Sequence, residues 1–316
     1  MSRGRLLIRS LWLTAGLLLA IGGAAVLWKK LDADTLRMAW HSLLAFPRTR
    51  VVGAIGLVSV SFVLASICEA AGLREIGRPL GFVRPALVTA IANPIGHALI
   101  LPTLSGGALR YRMYAPWGLE RGEVARIVLY SAMPFVFGVL LLIPLAFLMR
   151  SSQVSAAIHV PRDAILALGV AGVALGGAYL ALAGARGVRG KLPGRGLTVL
   201  YLICGIVEIL SVAGSLYVFM PHTLGMGLGE FFIVYLIGVL LGQFSSVPAG
   251  IGMLEASLIV LLPQVPRDEL LAAAFAYRVV FDLIPLVVAL ILLALYEMGS
   301  RRGIVGRLWR APRTMD

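Results

Sequence analysis

Residues 86–114 read Ala86-Leu-Val-Thr-Ala-Ile-Ala-Asn93-Pro-Ile-Gly-His97-Ala-Leu-Ile-Leu101, then Pro102-Thr-Leu-Ser105-Gly106-Gly107-Ala-Leu-Arg110-Tyr111-Arg112-Met-Tyr114. The apolar part, 86–101, is sixteen residues long. That falls short of the about 20 residues a helix needs to cross a hydrocarbon core. Pro102 followed by two glycines predicts a backbone break that frees N–H groups, which at the start of a helical turn attract anions. Arg110 and Arg112 follow at once, and a guanidinium fork suits a phosphate. Tyr111 and Tyr114 would lie at headgroup depth, where the same residues also serve as interfacial anchors. The stretch therefore predicts a hairpin that dips into a membrane and returns, with Gly106, Gly107, Arg110, Tyr111, Arg112 and Tyr114 as a candidate lipid-phosphate site.

Outward from this hairpin the chain is apolar. Of 316 residues, 59% are hydrophobic and 14% charged, against roughly 25% charged in a soluble domain. Runs long enough to span occur at 6–28, 50–71, 124–149, 163–185, 197–220 and 270–298, and a second short run lies at 231–247. The expected fold is all-α: a polytopic membrane protein of about six transmembrane helices plus two re-entrant hairpins. Residues 1–49 are expected to hold a retained first helix and an interfacial helix over 32–46, with Leu36, Trp40, Leu43 and Leu44 on one face. Residues 50–298 form the membrane domain and 299–316 a basic tail.

The net charge of +13 sits in short loops beside apolar runs, where it sets topology and meets anionic lipid rather than nucleic acid. With a cytoplasmic amino terminus, six crossings and two re-entrant runs, nineteen Lys and Arg fall inside and eight outside. Making the short runs cross fully puts basic loops on the wrong side, so the positive-inside rule favours re-entrance. Bacterial-type inner-membrane localisation is expected.

Two stretches share an order of features. Glu69 in a spanning helix precedes the Pro102 break, and Arg126 to Pro134 opens a long helix. Glu208 in a spanning helix precedes Phe244-Ser-Ser-Val-Pro248-Ala-Gly250-Ile-Gly252-Met-Leu-Glu255, and Arg278 to Pro285 opens another. In the topology above the two stretches, 50–149 and 197–298, are inverted, the arrangement that points to a translocation site near the bilayer midplane. Glu208, Arg278 and Asp282 lie far from helix ends, where a charge costs about 2.5–3.5 kcal/mol on insertion scales, so each should face the bundle interior. Arg278 and Asp282 are four apart and can pair. Glu208 is then the charge left over. Glu255 either caps its own helix or meets a cation or proton. Glu69, nearer a helix end, reads as a solvated carboxylate, and Asn93 as a lining or core residue of its hairpin. The histidines are scattered and no metal or nucleotide motif occurs, so neither metal nor cofactor is expected. Cys68 and Cys204, both within apolar runs, make no disulfide framework.

Thr89 to His97, Leu104 to Tyr114 with Trp117-Gly118-Leu119, Phe244 to Glu255 and Ala276-Tyr277-Arg278 together resemble the membrane domain of the multiple peptide resistance factor, the lysylphosphatidylglycerol synthase/flippase. The resemblance covers roughly 50–298. It implies flipping of anionic or aminoacylated phospholipid, with Gly106, Gly107, Arg110 and Arg112 matching one motif and Pro248, Gly250, Gly252, Glu255 and Arg278 the other. Ala249 replaces a usual glycine, and Cys68-Glu69 a common Tyr-Asp pair. Synthase activity is not implied, because the cytosolic synthase portion has no counterpart here. The expected function is phospholipid translocation; a membrane-embedded lipid-modifying transferase and a membrane partner of a separate synthase, or of further copies of the chain, are the alternatives.

Overall fold

Arg48–Glu75 (α1) begins after Pro47 and stops at Gly77, whose φ of 78° needs no Cβ. The Gly77 amide donates to the Arg74 carbonyl and the Arg78 amide to the Leu73 carbonyl, the paired bonds that close a helix on a left-handed residue. A computed structural model of the protein describes residues 40–98, 102–158, 160–182, 193–221, 224–244 and 253–301. Within them follow Val83–Ala98 (α2), Pro102–Tyr114 (α3), Arg121–Met149 (α4), Ser151–Ile158 (α5), Arg162–Leu182 (α6), Arg195–Tyr217 (α7), Leu228–Phe244 (α8), Met253–Leu261 (α9), Arg267–Arg278 (α10) and Ile284–Arg301 (α11). Among the described residues there is no strand.

Among the described residues, five helical stretches are long and apolar enough to cross a membrane: Arg48–Glu75, Arg121–Met149, Arg162–Tyr179, Arg195–Tyr217 and Arg267–Met298. These match five of the six expected spans. The first run, 6–28, lies outside the described residues, as do 302–316 of the basic tail. Of the expected interfacial helix, residues 40–45 are helical. Leu43 is buried in the bundle core, while Trp40 and Leu44 are 50% and 64% exposed. Leu36 lies outside the described residues.

Helix directions follow from who touches whom. The Gly194 amide donates to Glu75 Oε1 at 2.9 Å, Tyr201 donates to the Cys68 carbonyl at 3.2 Å, and Arg50 to the Met220 carbonyl at 3.4 Å. One partner's number rises as the other's falls, so α1 and α7 are antiparallel. By contrast Tyr130 meets Tyr201, and Gly138 meets Gly205 and Ile209, so α4 and α7 run parallel. The end where α1 finishes and α4 starts is tied by Arg78 to Glu123 at 2.7 Å, and Arg112 to Glu297 brings the ends of α3 and α11 there too. At the opposite end Arg150 meets Glu230, joining the end of α4 to the start of α8.

The consequence is two hairpins entering from opposite ends of the bundle. The α2/α3 hairpin opens where α1 finishes, and α8/α9 opens where α1 begins. Each has its own apolar core. Ile91, Met113, Tyr114 and Trp117 belong to one, Phe231, Tyr235, Leu258 and Leu262 to the other. The helix, broken hairpin, helix order expected for both halves is therefore present in the fold.

Two local features differ from the sequence reading. The backbone is helical straight through Gly106 and Gly107, so these glycines do not break it. They serve packing instead: a Cβ on Gly106 would meet the Ala92 carbonyl at 3.2 Å, and one on Gly107 would meet Val128 at 3.3 Å. Small residues let membrane helices approach closely where apolar lipid offers no hydrophobic drive between them. The second feature is a π-helical stretch, Val279–Leu283, joining α10 to α11. Pro285 follows it; its missing N–H and its ring displace the carbonyl four residues back, and a widened turn accommodates this.

Exposed ion pairs at the bundle ends contribute less than these packing contacts. The Arg78 guanidinium, exposed in the α1–α2 loop, is held above its usual pKa range by its hydrogen bond to Glu123. Solvent screens such a pair. Arg78→Ala is expected to leave the thermal melting midpoint of the detergent-solubilised protein unchanged, which scanning fluorimetry checks.

Candidate functional site

The polar interior begins with Glu69 on α1, which is buried to 2% exposure and not solvated as its position near the helix end suggested. Arg110 on α3, 4% exposed, donates to it through Nε at 2.9 Å and Nη2 at 2.7 Å. Tyr114 donates to Oε1 at 2.7 Å and Thr89 of α2 to Oε2 at 3.0 Å. The Asn93 amide oxygen accepts from Arg110 Nη2 at 2.7 Å. A carboxylate and a guanidinium can be buried together only when their remaining hydrogen-bonding sites are met, and Thr89, Asn93 and Tyr114 do that. The cluster pins both arms of the first hairpin to a spanning helix. Arg110 Nη1 takes no part in these bonds and lies over Gly106.

In the second half the same kind of pin occurs with the charges exchanged. Here the hairpin supplies the carboxylate, Glu255 in the first turn of α9, and the spanning helix supplies Arg278. Arg278 Nε meets Glu255 Oε1 at 3.0 Å, and Nη1 meets Asp282 Oδ2 at 3.1 Å. The Arg278–Asp282 pair expected from the spacing thus forms, with Asp282 inside the π stretch. Arg278 lies eleven residues in from Arg267, about 16 Å deep at 1.5 Å per residue. Arg126, which the sequence placed in register with Arg278, is exposed in the first turns of α4 and reaches only Tyr130 at 3.5 Å. The two arginines are not structural equivalents, because Arg278 is carried inward by α10 and Arg126 starts its helix at the surface.

The remaining candidates divide between rim and interior. Tyr111 accepts from Arg121 at 3.3 Å, with the guanidinium 5.8 Å above its ring, and Arg112 pairs with Glu297; all four sit at the end where the first hairpin opens. Pro248, Gly250 and Gly252 lie outside the described residues. Glu208 sits mid-way along α7, half-buried, with no hydrogen bond or ion pair among the described residues. His97, which the sequence reading passed over as scattered, lies in the last turn of α2 with its ring 6.5 Å from that of Phe281 in the π stretch. The signal that could have found it was position: it is the last polar residue before the hairpin tip.

Four carboxylates, Glu69, Glu208, Glu255 and Asp282, therefore share the interior with two guanidiniums, Arg110 and Arg278. The arrangement can hold polar or cationic groups at membrane depth, and its buried pins fix where the hairpins end.

No family model matches the chain. It is similar to the uncharacterized protein slr0712 of Synechocystis sp., 25% identical over 285 residues covering 86% of this chain and 88% of that one. It is also similar to the inner membrane protein YbhN of Escherichia coli, 27% identical over 287 residues covering 87% of each. With its apolar helices and this likeness along most of its length, the chain is an integral, multi-pass membrane protein.

Proposed function

We propose that the protein translocates phospholipids with charged headgroups across the bacterial inner membrane. The observation that carries this reading is the pair of hairpins that enter from opposite ends, together with Glu208 midway along α7, a carboxylate with no hydrogen bond or ion pair among the described residues. Opposed broken segments meeting near the midplane are the architecture of alternating-access carriers, and an intramembrane charge without a structural partner is a substrate or ion site by default. The resemblance to the flippase portion of the multiple peptide resistance factor supports lipid as the cargo, and YbhN supports the inner membrane.

In this reading Arg110 and Arg278 hold the hairpins, with Arg110 Nη1 over Gly106 as the donor left for a phosphate. Arg112 and Tyr111 lie where a headgroup would first be met, whereas Tyr114, expected at that depth, is buried in the Glu69 cluster. Glu208, Glu255 and Asp282 favour the cationic part of a headgroup at depth. The exposed Arg74, Arg78, Arg121, Arg126 and Arg195 gather at one end of the bundle, which the positive-inside rule assigns to the cytoplasm.

The test is reconstitution. Full-length protein in liposomes carrying fluorescent phosphatidylglycerol or phosphatidylethanolamine is expected to expose inner-leaflet label to an external quencher, and Glu208→Gln is expected to slow this markedly. Quenching that never exceeds the outer-leaflet fraction, with either lipid, overturns the proposal.

A further inference from the structure

Two arginines of α3 lie two residues apart, and the fold treats them differently. On an α-helix that spacing sends them to nearly opposite sides. Arg110 meets Glu69 of α1, the two side chains 5% and 1% exposed. Arg112 meets Glu297 of α11, the two side chains 21% and 24% exposed. Glu69 also accepts from Tyr114 and Thr89, and Arg110 also donates to Asn93. Among the described residues Arg112 and Glu297 have no partner but each other. An ion pair that keeps this much solvent and has no further bonds is screened and holds its geometry weakly. Arg110–Glu69 is therefore a fixed joint, and Arg112–Glu297 an exchangeable one.

The position of the exchangeable pair says what would exchange with it. Ile291, Leu295 and Met298 of α11 are exposed, an apolar strip that in a membrane protein is covered by acyl chains. Leu292, Leu293 and Tyr296 turn the other way, against the core of the first hairpin. Glu297 stands at the border between the two sets, and Arg112 meets it from the last turn of α3. A lipid whose chains lie on the strip thus has its headgroup at this pair. Arg121 and Arg84, over the rings of Tyr111 and Trp117, add positive charge at the same mouth, which favours a headgroup of net negative charge. A guanidinium fork takes a phosphate and a carboxylate by the same paired geometry. Glu297 fills the place a lipid phosphate would take.

We infer that Arg112 is a site for the phosphate of an anionic phospholipid, held shut by Glu297. An arriving phosphate displaces the carboxylate and so unfastens the rim of the first hairpin from the last span. That this exchange admits lipid to a pathway rests on the translocation reading; the site itself does not.

The probe is phosphatidylglycerol with a photoactivatable group in its acyl chain close to the headgroup. It is added to full-length protein in a phosphate-free detergent, and the crosslinked residues are mapped by mass spectrometry. Crosslinks are expected on α11 over residues 291–297. Glu297→Gln should reach half-maximal labelling there at about three- to fivefold lower lipid, the gain from removing a competing ion pair of this exposure. Arg112→Gln should lose most of that labelling, and the double variant should behave as Arg112→Gln does. Equal half-maximal concentrations for the parent and Glu297→Gln overturn the exchange, and undiminished labelling in Arg112→Gln overturns the site. Excess inorganic phosphate should leave the labelling in place; if it abolishes the labelling, the occupant is a free anion and the lipid is overturned. In liposomes, translocation of fluorescent phosphatidylglycerol should saturate at a lower lipid fraction in Glu297→Gln, and an unchanged dependence overturns the gate. Labelling as expected in a chain that moves no lipid keeps the site and removes the translocation reading.

Discussion

Arg110→Ala is expected to be among the most damaging single changes in the protein, lowering stability by about 3–5 kcal/mol, the range for breaking a buried ion pair from one side. The reason is what stays behind. The Glu69 carboxylate is 1% exposed and would keep only the hydroxyls of Tyr114 and Thr89, at 2.7 and 3.0 Å. Asn93 would lose its donor as well. Arg110→Lys should fall between, because an ammonium cannot reproduce the paired bonds of Nε and Nη2 to one carboxylate. The double variant Glu69→Leu/Arg110→Met should recover much of the loss, since replacing both partners with apolar groups removes the stranded charge. Thermal unfolding in detergent, compared across the parent and these three variants, checks this ordering. A melting curve for Arg110→Ala that overlays the parent would mean that Glu69 is not a buried charge.

The second large effect is expected at the crossing of α4 and α7. A Cβ on Gly205 would lie 1.9 Å from the Pro134 carbonyl oxygen, and one on Gly138 would lie 2.9 Å from the Gly205 backbone. Here the obstruction is backbone on both sides, so no rotamer change relieves it. Gly205→Ala must push the two spans apart along their length, and overpacking of this kind costs roughly 1–3 kcal/mol or more. Gly205→Leu should abolish accumulation of folded protein, read by size-exclusion profile after membrane extraction. By contrast Gly196→Ala, where a Cβ meets nothing within 4 Å, should behave as the parent does. Equal profiles for Gly205→Leu and the parent would remove the close crossing from the structure.

Much of the architecture was legible because burial in lipid writes itself along the chain. A span must be long and apolar, whatever it packs against, so five described spans stand where the apolar runs put them. The two short runs became hairpins for the same reason, being too short to cross. Arg278 and Asp282 were readable as a pair because helical neighbours four apart meet by geometry alone.

What failed shares one cause. Gly106 and Gly107 in isolation predict a backbone break, since glycine frees the chain. In the folded protein they are helical, and their small size is used by Ala92 and Val128, which belong to other helices. Glu69 was taken for a surface carboxylate, and only the return of α3 beside α1 buries it against an arginine 41 residues away. His97 carried no signal until Phe281 was brought to it by a π stretch nearly two hundred residues later.

The sequence by itself thus determined an all-helical membrane chain, its spans and its two interrupted segments, because each of these answers a demand that solvent or lipid makes of a single element. The tertiary structure alone decided which charges became pins, and that their polarity is exchanged between the halves. Those outcomes depend on which helices touch, and the pairing energy of a buried charge exists only once its partner has arrived.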